Sequence, residues 1–308
     1  MRILKSAGLI FFRLGKSFEW SPFMHPSGFK NNLKTRVKKH GQAFRRFISN
    51  TFRSFTPEDL RRTLNGLGIV QSDTVLVHGS FDAFEGFQGK PSHVISVLQD
   101  VVGDTGLLMM PTMPFSGTAV AYARTNPIFD VLRTPSRMGL LSELFRRSQA
   151  VVRSVHPTHS VALWGADAHT VAAGHHLART PCGVGTPFTA LLRRRGKIVL
   201  LGTDIGVLTF YHALEELMEQ DLPQTPFTQE VFHLSSKTSE GLIIATDCQL
   251  FDPAMSRRRN LHKMTPFLKK SGAWREARVG GLKVTILAAA DVEAVVRHMN
   301  QQGIHCYD

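Results

Sequence analysis

Thr74-Val75-Leu76-Val77-His78-Gly79-Ser80 is the stretch that decides the fold. Its apolar run is too short for a helix and lacks the alternation of a half-exposed strand, so it reads as a strand buried on both faces. A helical pattern over 94–102 follows, then the turn Gly103-Asp104-Thr105-Gly106. A second apolar run, Leu107-Leu108-Met109-Met110, ends at Pro111-Thr112. Strand, helix and strand, each closed by glycine or small polar residues, predict a βαβ unit in a parallel sheet. In such sheets ligands gather beyond the carboxyl ends of the strands, where His78, Ser80, Pro111 and Thr112 stand.

Working outward, Thr56-Pro57-Glu58-Asp59 is a helix start, with an N-cap hydroxyl, proline at the first helical position and acids in the first turn. That helix carries Leu60, Leu64 and Leu67 and stops at Gly68. Downstream, helices are expected over 137–147, 186–192 and 209–220, and strands over 160–164 and 197–201. From Phe227 the alternation suggests further strands, and the last helix, 290–301, carries Val292, Val295, Val296 and Met299 on one face. The expected class is α/β: a central, mostly parallel sheet flanked by helices, with additional C-terminal strands and a helix.

The chain has 308 residues, 43% hydrophobic and 20% charged, an ordinary globular balance. No apolar run approaches the roughly 20 residues a membrane span needs. Cys182, Cys248 and Cys306 are odd in number and far apart, which argues against a disulfide framework and suits a reducing cytoplasm. The net charge of +13 is concentrated at the start: residues 1–54 hold Glu19 as the only acid among twelve lysines and arginines. They read as a basic extension, with a compact domain spanning 55–308. Such an extension attracts anionic surfaces, and Leu9, Ile10, Phe11, Phe12, Phe18 and Trp20 add a weak membrane-peripheral signal. A solvated tail is the plainer reading.

Three clusters can carry chemistry. Arg153-Ser154-Val155-His156-Pro157-Thr158-His159-Ser160 is a loop made rigid by its proline, holding imidazoles that titrate near neutrality. Strand-capping histidines are the plain alternative there. In Thr209-Phe210-Tyr211-His212-Ala213-Leu214-Glu215-Glu216, helical spacing brings Glu215 and Glu216 within reach of the imidazole. A carboxylate beside a histidine fixes its tautomer and raises its basicity, as a general base requires; an ordinary exposed pair has the same spacing. Pro181-Cys182-Gly183-Val184-Gly185-Thr186-Pro187 offers open backbone before a helix N-terminus but lacks the P-loop lysine, and Cys182 reads as packing. The histidines also suit zinc or iron, although no H-E-x-x-H or paired-cysteine spacing is present.

Taken in order, several stretches resemble the aminoglycoside 3-N-acetyltransferase family. They are 73–80, 103–112, Phe129-Asp130, Thr134-Pro135-Ser136 with Gly139, Arg153 to Pro157 with Ser160, 183–187, and Leu200-Leu201-Gly202 running into Thr209, His212 and Glu215. The resemblance covers the chain from about Thr56 onward. It implies an α/β fold, acetyl-CoA as co-substrate and direct acetyl transfer to a small-molecule amine; the metal reading ranks below this, and no metal-ligating residue is assigned. It further implies His156 as the base contributor, with His212 and Glu215 orienting it or binding the acceptor. Ser80 and Thr112 are then expected against the pantetheine or thioester, and Asp130 and Glu216 against the acceptor. Many family members carry an acid where this chain has Val184, and a Gly-Gly pair where it has Gly89-Lys90. With the basic charge, these departures favour a monoamino sugar, on a nucleotide or a glycan precursor, over a polycationic antibiotic. Two rivals stand beside this expectation: a metal-dependent hydrolase using the histidines, and a polyanion- or membrane-binding module.

Overall fold

A computed structural model describes residues 53–308. The basic extension therefore lies almost wholly outside the described residues, with its surface-binding expectation. The strands are β1 (Thr74–Gly79), β2 (Leu107–Pro111), β3 (Ile128–Asp130), β4 (Val152–Arg153), β5 (Val161–Gly165), β6 (Lys197–Leu201), β7 (Phe227–Lys237), β8 (Ile243–Phe251), β9 (Arg275–Val279) and β10 (Leu282–Ala288). Seven form one sheet in the order β4-β5-β2-β1-β6-β10-β9, and β3-β7-β8 form a second. The helices are α1 (Pro57–Gly66), α2 (Pro91–Val102), α3 (Ala119–Ala123), α4 (Leu140–Arg146), α5 (Ala168–Ala172), α6 (Pro187–Arg193), α7 (Tyr211–Leu217), α8 (Pro253–Arg258), α9 (Thr265–Lys270) and α10 (Ala289–Gln301).

The apolar runs behave as a doubly covered sheet demands. Along β1, Val75 and Val77 face one layer and Leu76 the other. Along β2, Leu108 and Met110 face the first layer and Leu107 and Met109 the second. Val199 and Leu201 alternate likewise with Ile198 and Leu200 along β6. The first layer is built by α1, α2 and α4 through Leu60, Leu64, Val94, Leu98 and Phe145. The second is built by α6, α7 and α10 through Phe188, Leu191, Leu214, Val292 and Val296. Capping follows the sequence reading: Thr56 and Asp59 form a reciprocal capping box, and Pro57 opens α1.

The three central strands, β2, β1 and β6, are parallel, as the βαβ reading requires. On both sides the sheet is extended by antiparallel strands: β5 beside β2, then β4 beside β5, and β10 beside β6, then β9 beside β10. Only β5 and β10 therefore run against the other five. The expected helices over 137–147 and 209–220 are shorter, Leu140–Arg146 and Tyr211–Leu217. The first is trimmed because Gly139 takes φ +107°, outside the helical region. No helix among the described residues is long and apolar enough to cross a membrane.

Candidate active site

Beyond the carboxyl ends of the central strands lies a cleft of about 570 Å³. Met113, just past β2, and Gly206 to Thr209, past β6, form part of its wall, and His159, His212, Phe251 and Arg259 bring the polar and aromatic groups. This is the location the parallel centre of the sheet dictates.

His212 and Glu215 are the core of the site. One helical turn apart on α7, they meet with Nδ1 2.7 Å from Glu215 Oε2. The carboxylate is sealed, its residue only 1% exposed. Its second oxygen, Oε1, accepts from Arg259 Nε at 2.9 Å and from the Tyr307 hydroxyl. Arg259 and Tyr307 pair as a β-bridge, tying the segment after α10 to the segment after α8. Burial pushes the Glu215 carboxyl up, but His212 and Arg259 outweigh it and hold the group below its ordinary range. Burial, reinforced by Arg259, also lowers the His212 imidazole, against the opposing pull of Glu215. At neutral pH this is a neutral ring whose Nδ1–H donates to a carboxylate, leaving the Nε2 lone pair available. The Phe251 ring lies 4.3 Å away at 32°, fixing the plane of the imidazole.

His159 is the second imidazole on the cleft wall. Its ring centroid is 6.2 Å from that of His212 and nearly perpendicular to it, and its Nδ1 pairs with Thr158 Oγ1 at 2.9 Å. His156 is placed differently from the sequence expectation. Pro157 does hold the loop, but the His156 ring turns inward, is 0% exposed and is not part of the cleft wall. Its Nδ1 accepts the backbone N–H of Thr158 and of His159, at 3.3 and 3.1 Å, and its ring lies 4.6 Å from His175. Burial first, then the neighbouring histidines, lower it well below the ordinary histidine range.

The other expected contacts also face the protein. Thr112 is 0% exposed, with Oγ1 bonded to Ser160 and to Arg153 Nε. Ser80 donates its backbone N–H to Leu201 and is not among the cleft-lining residues. Asp130 closes a turn by accepting from the N–H groups of Leu132 and Arg133. Glu216 accepts from Thr180 Oγ1 and packs against Gly183, where a Cβ would fall 1.7 Å from its Oε1. That clash accounts for glycine at 183.

Arg153 is the buried cation that organises this region. It donates to the backbone oxygens of Thr112 (2.6 Å), Thr134 (2.5 Å) and Val131 (3.3 Å), and its Nε to the hydroxyls of Thr112 and Ser160. With only neutral acceptors in direct contact, burial, aided by Arg146, lowers its pKa to about 9. Sequence reasoning also missed Arg259 and Tyr307, which lie 44 and 92 residues from Glu215 and share no local pattern with it. Among the described residues no group of three or more His, Cys, Asp or Glu converges as metal ligands would.

Solved structures place this architecture among known folds. The chain is similar to AAC-IIIb, solved as a binary complex with CoASH, at a TM-score of 0.69 and 21% identity, covering 82% of this chain and 99% of that one. It is similar to AAC(3)-Xa at a TM-score of 0.68 and 25% identity, covering 82% and 94%. In sequence it is 34% identical over 173 residues to aminoglycoside N(3)-acetyltransferase VII of Streptomyces paromomycinus, spanning 52% of this chain and 60% of that protein, less than two thirds of its length. It is 28% identical over 187 residues to the SPbeta prophage-derived aminoglycoside N(3')-acetyltransferase-like protein YokD of Bacillus subtilis (strain 168), spanning 56% and 68%. The sequence pattern described as aminoglycoside 3-N-acetyltransferase matches residues 76–301, from β1 through α10 and across the His212–Glu215 pair. The chain belongs to the aminoglycoside 3-N-acetyltransferase family.

Proposed function

We propose that this chain is an acetyl-CoA-dependent N-acetyltransferase that passes the acetyl group directly to the amine of an amino sugar, with His212 as general base. The observation that carries the reading is the His212–Glu215–Arg259 arrangement at a cleft beyond the parallel strand ends. An amine attacking a thioester must shed a proton as the C–N bond forms, and the sulfur gains one as the C–S bond breaks. A neutral imidazole at the cleft takes the first proton on Nε2 and returns it to the departing thiolate. Free CoA and the N-acetyl product leave, and the histidine is neutral again. Glu215 fixes the tautomer and stabilises the transient imidazolium, while Arg259 and Tyr307 keep the carboxylate ionised and immobile.

His156 becomes a positioning residue in this scheme: its Nδ1 holds the backbone that carries His159 to the cleft wall. Three buried free cysteines accord with a reducing cytoplasm as the working location.

The test is thiol release from acetyl-CoA with a panel of amines. His212→Ala lowers turnover on the order of 100-fold or more while acetyl-CoA binding, read by calorimetry, stays within about 3-fold. An unchanged rate would remove His212 from the chemistry.

A further inference from the structure

The cleft wall contains Arg137, Arg259 and His262, and among the described residues lining it none is aspartate or glutamate. The carboxylates closest at hand are already engaged. Glu215 lies sealed behind His212 with its oxygens taken by Arg259, Tyr307 and the imidazole. Asp204 caps a turn through Gly206 and lies 3.8 Å from His262. This bias is local. Of the chain's 37 basic and 24 acidic residues, 25 and 23 follow residue 54, so the folded part is nearly neutral outside its cleft.

Arg259 adds an independent observation. Its side chain is only 10% exposed, Nε is used by Glu215, and Nη2 is buried with no acceptor among the described residues. A guanidinium nitrogen in that position is unsatisfied until something brings it an oxygen, and buried donors are seldom left so. Arg137 stands at the mouth, its own backbone N–H anchored to the Met113 carbonyl at 2.8 Å.

We infer that the acceptor is an amino sugar bearing an anionic group, a phosphate in its simplest form, received by Arg259 and Arg137 while its amine faces His212. The inference rests on the acetyl-transfer reading and sharpens its substrate class. Guanidinium groups bind phosphate through paired charge-assisted hydrogen bonds, whereas a sugar with several ammonium groups meets two arginines and no free carboxylate. Like-charge placement of that kind is how a site rejects a ligand it otherwise fits.

The full chain, with acetyl-CoA as donor, is assayed against glucosamine, glucosamine 1-phosphate and kanamycin. The expected kcat/KM for the phosphorylated sugar exceeds that for glucosamine by roughly 10-fold or more, with kanamycin the poorest, and Arg137→Gln reduces the advantage to about 3-fold or less. Acetyl-CoA carries phosphates of its own, so the same pair of proteins is run with acetyl-pantetheine, which has none. The inference expects the acceptor advantage, and its loss in the variant, with both donors. A variant defect confined to the KM of acetyl-CoA assigns Arg137 to the donor and overturns the inference. Transfer to all three amines with no phosphate advantage, or with kanamycin preferred, overturns the substrate class alone. Absence of thiol release with every amine overturns the acetyl-transfer reading as well.

Discussion

Two histidine pairs sit a few ångströms apart and do opposite things. His156 and His175 lie ring against ring at 4.6 Å, both 0% exposed. His175 is held between Ser154 Oγ at its Nδ1 and the Pro181 carbonyl at its Nε2, each at 2.8 Å, so its tautomer is fixed with Nε2–H donating. His159 and His212 meet edge-on at 6.2 Å and face the cleft, and only His212 has a carboxylate behind it. The first pair is sealed away from the cleft, His175 with both nitrogens bonded and His156 with Nδ1 on backbone and Nε2 buried without a partner among the described residues; the second keeps one nitrogen for a visitor. Whether a histidine does structural or chemical work depends here on whether its free nitrogen reaches the cleft and on what stands behind the other.

The largest effect expected from this contrast follows removal of the carboxylate. Glu215→Ala leaves Arg259 and Tyr307 facing an empty buried site, costing about 3–5 kcal/mol in unfolding free energy and depressing kcat together, read by denaturant melts and thiol release. His212→Ala separates the two properties. Turnover falls on the order of 100-fold or more, and stability falls by less than in Glu215→Ala because Arg259 and Tyr307 still hold the carboxylate. His156→Ala gives the reverse pattern. It strips the acceptor from two buried backbone N–H groups, so stability drops by about 1–3 kcal/mol while kcat falls much less than in His212→Ala. Equal losses of kcat in the two alanine variants would erase the distinction.

The pH response is gentler and divides in the same way. Burial lowers His78 and His175 from an ordinary 6.5 to about 4. The unfolded chain therefore binds more protons than the folded one between those values. Stability is fully present above about pH 6.5 and is lost as pH falls toward 4. Activity follows His212, whose neutral form is the working one, so kcat/KM declines only below the usual histidine range. Chemical melts and rate profiles at matched pH separate the two curves.

The pairing of His212 with Glu215 was legible because three residues on a helix fix the geometry without help from the rest of the chain. Arg259 and Tyr307 were not, since nothing local marks a partner 44 or 92 residues distant. Pro157 announced a non-helical loop correctly, yet that says nothing about which way the preceding ring turns, and His156 turned inward. The strands β1, β2, β5 and β6 were readable from their apolar runs, and the βαβ unit fixed the direction of β1 and β2; β4, two residues long, and β9, Arg275-Glu276-Ala277-Arg278-Val279, carry no such run. The reversal of β5 was not readable, because an apolar pentapeptide has the same composition whichever way it runs. Thr112 and Ser160 both accept from Arg153, a contact that nothing local in the sequence marks.

The bridge between Arg259 and Tyr307 has a consequence for biogenesis. Tyr307 emerges from the ribosome long after α7 has been made, so a nascent chain carries Glu215 with one of its ligands still unwritten. Until that hydroxyl arrives, Oε1 has Arg259 as its one side-chain partner among the described residues, and the carboxylate is held less firmly against the imidazole. Removing that hydroxyl alone, as in Tyr307→Phe, is expected to lower kcat while leaving the residues that line the cleft unchanged.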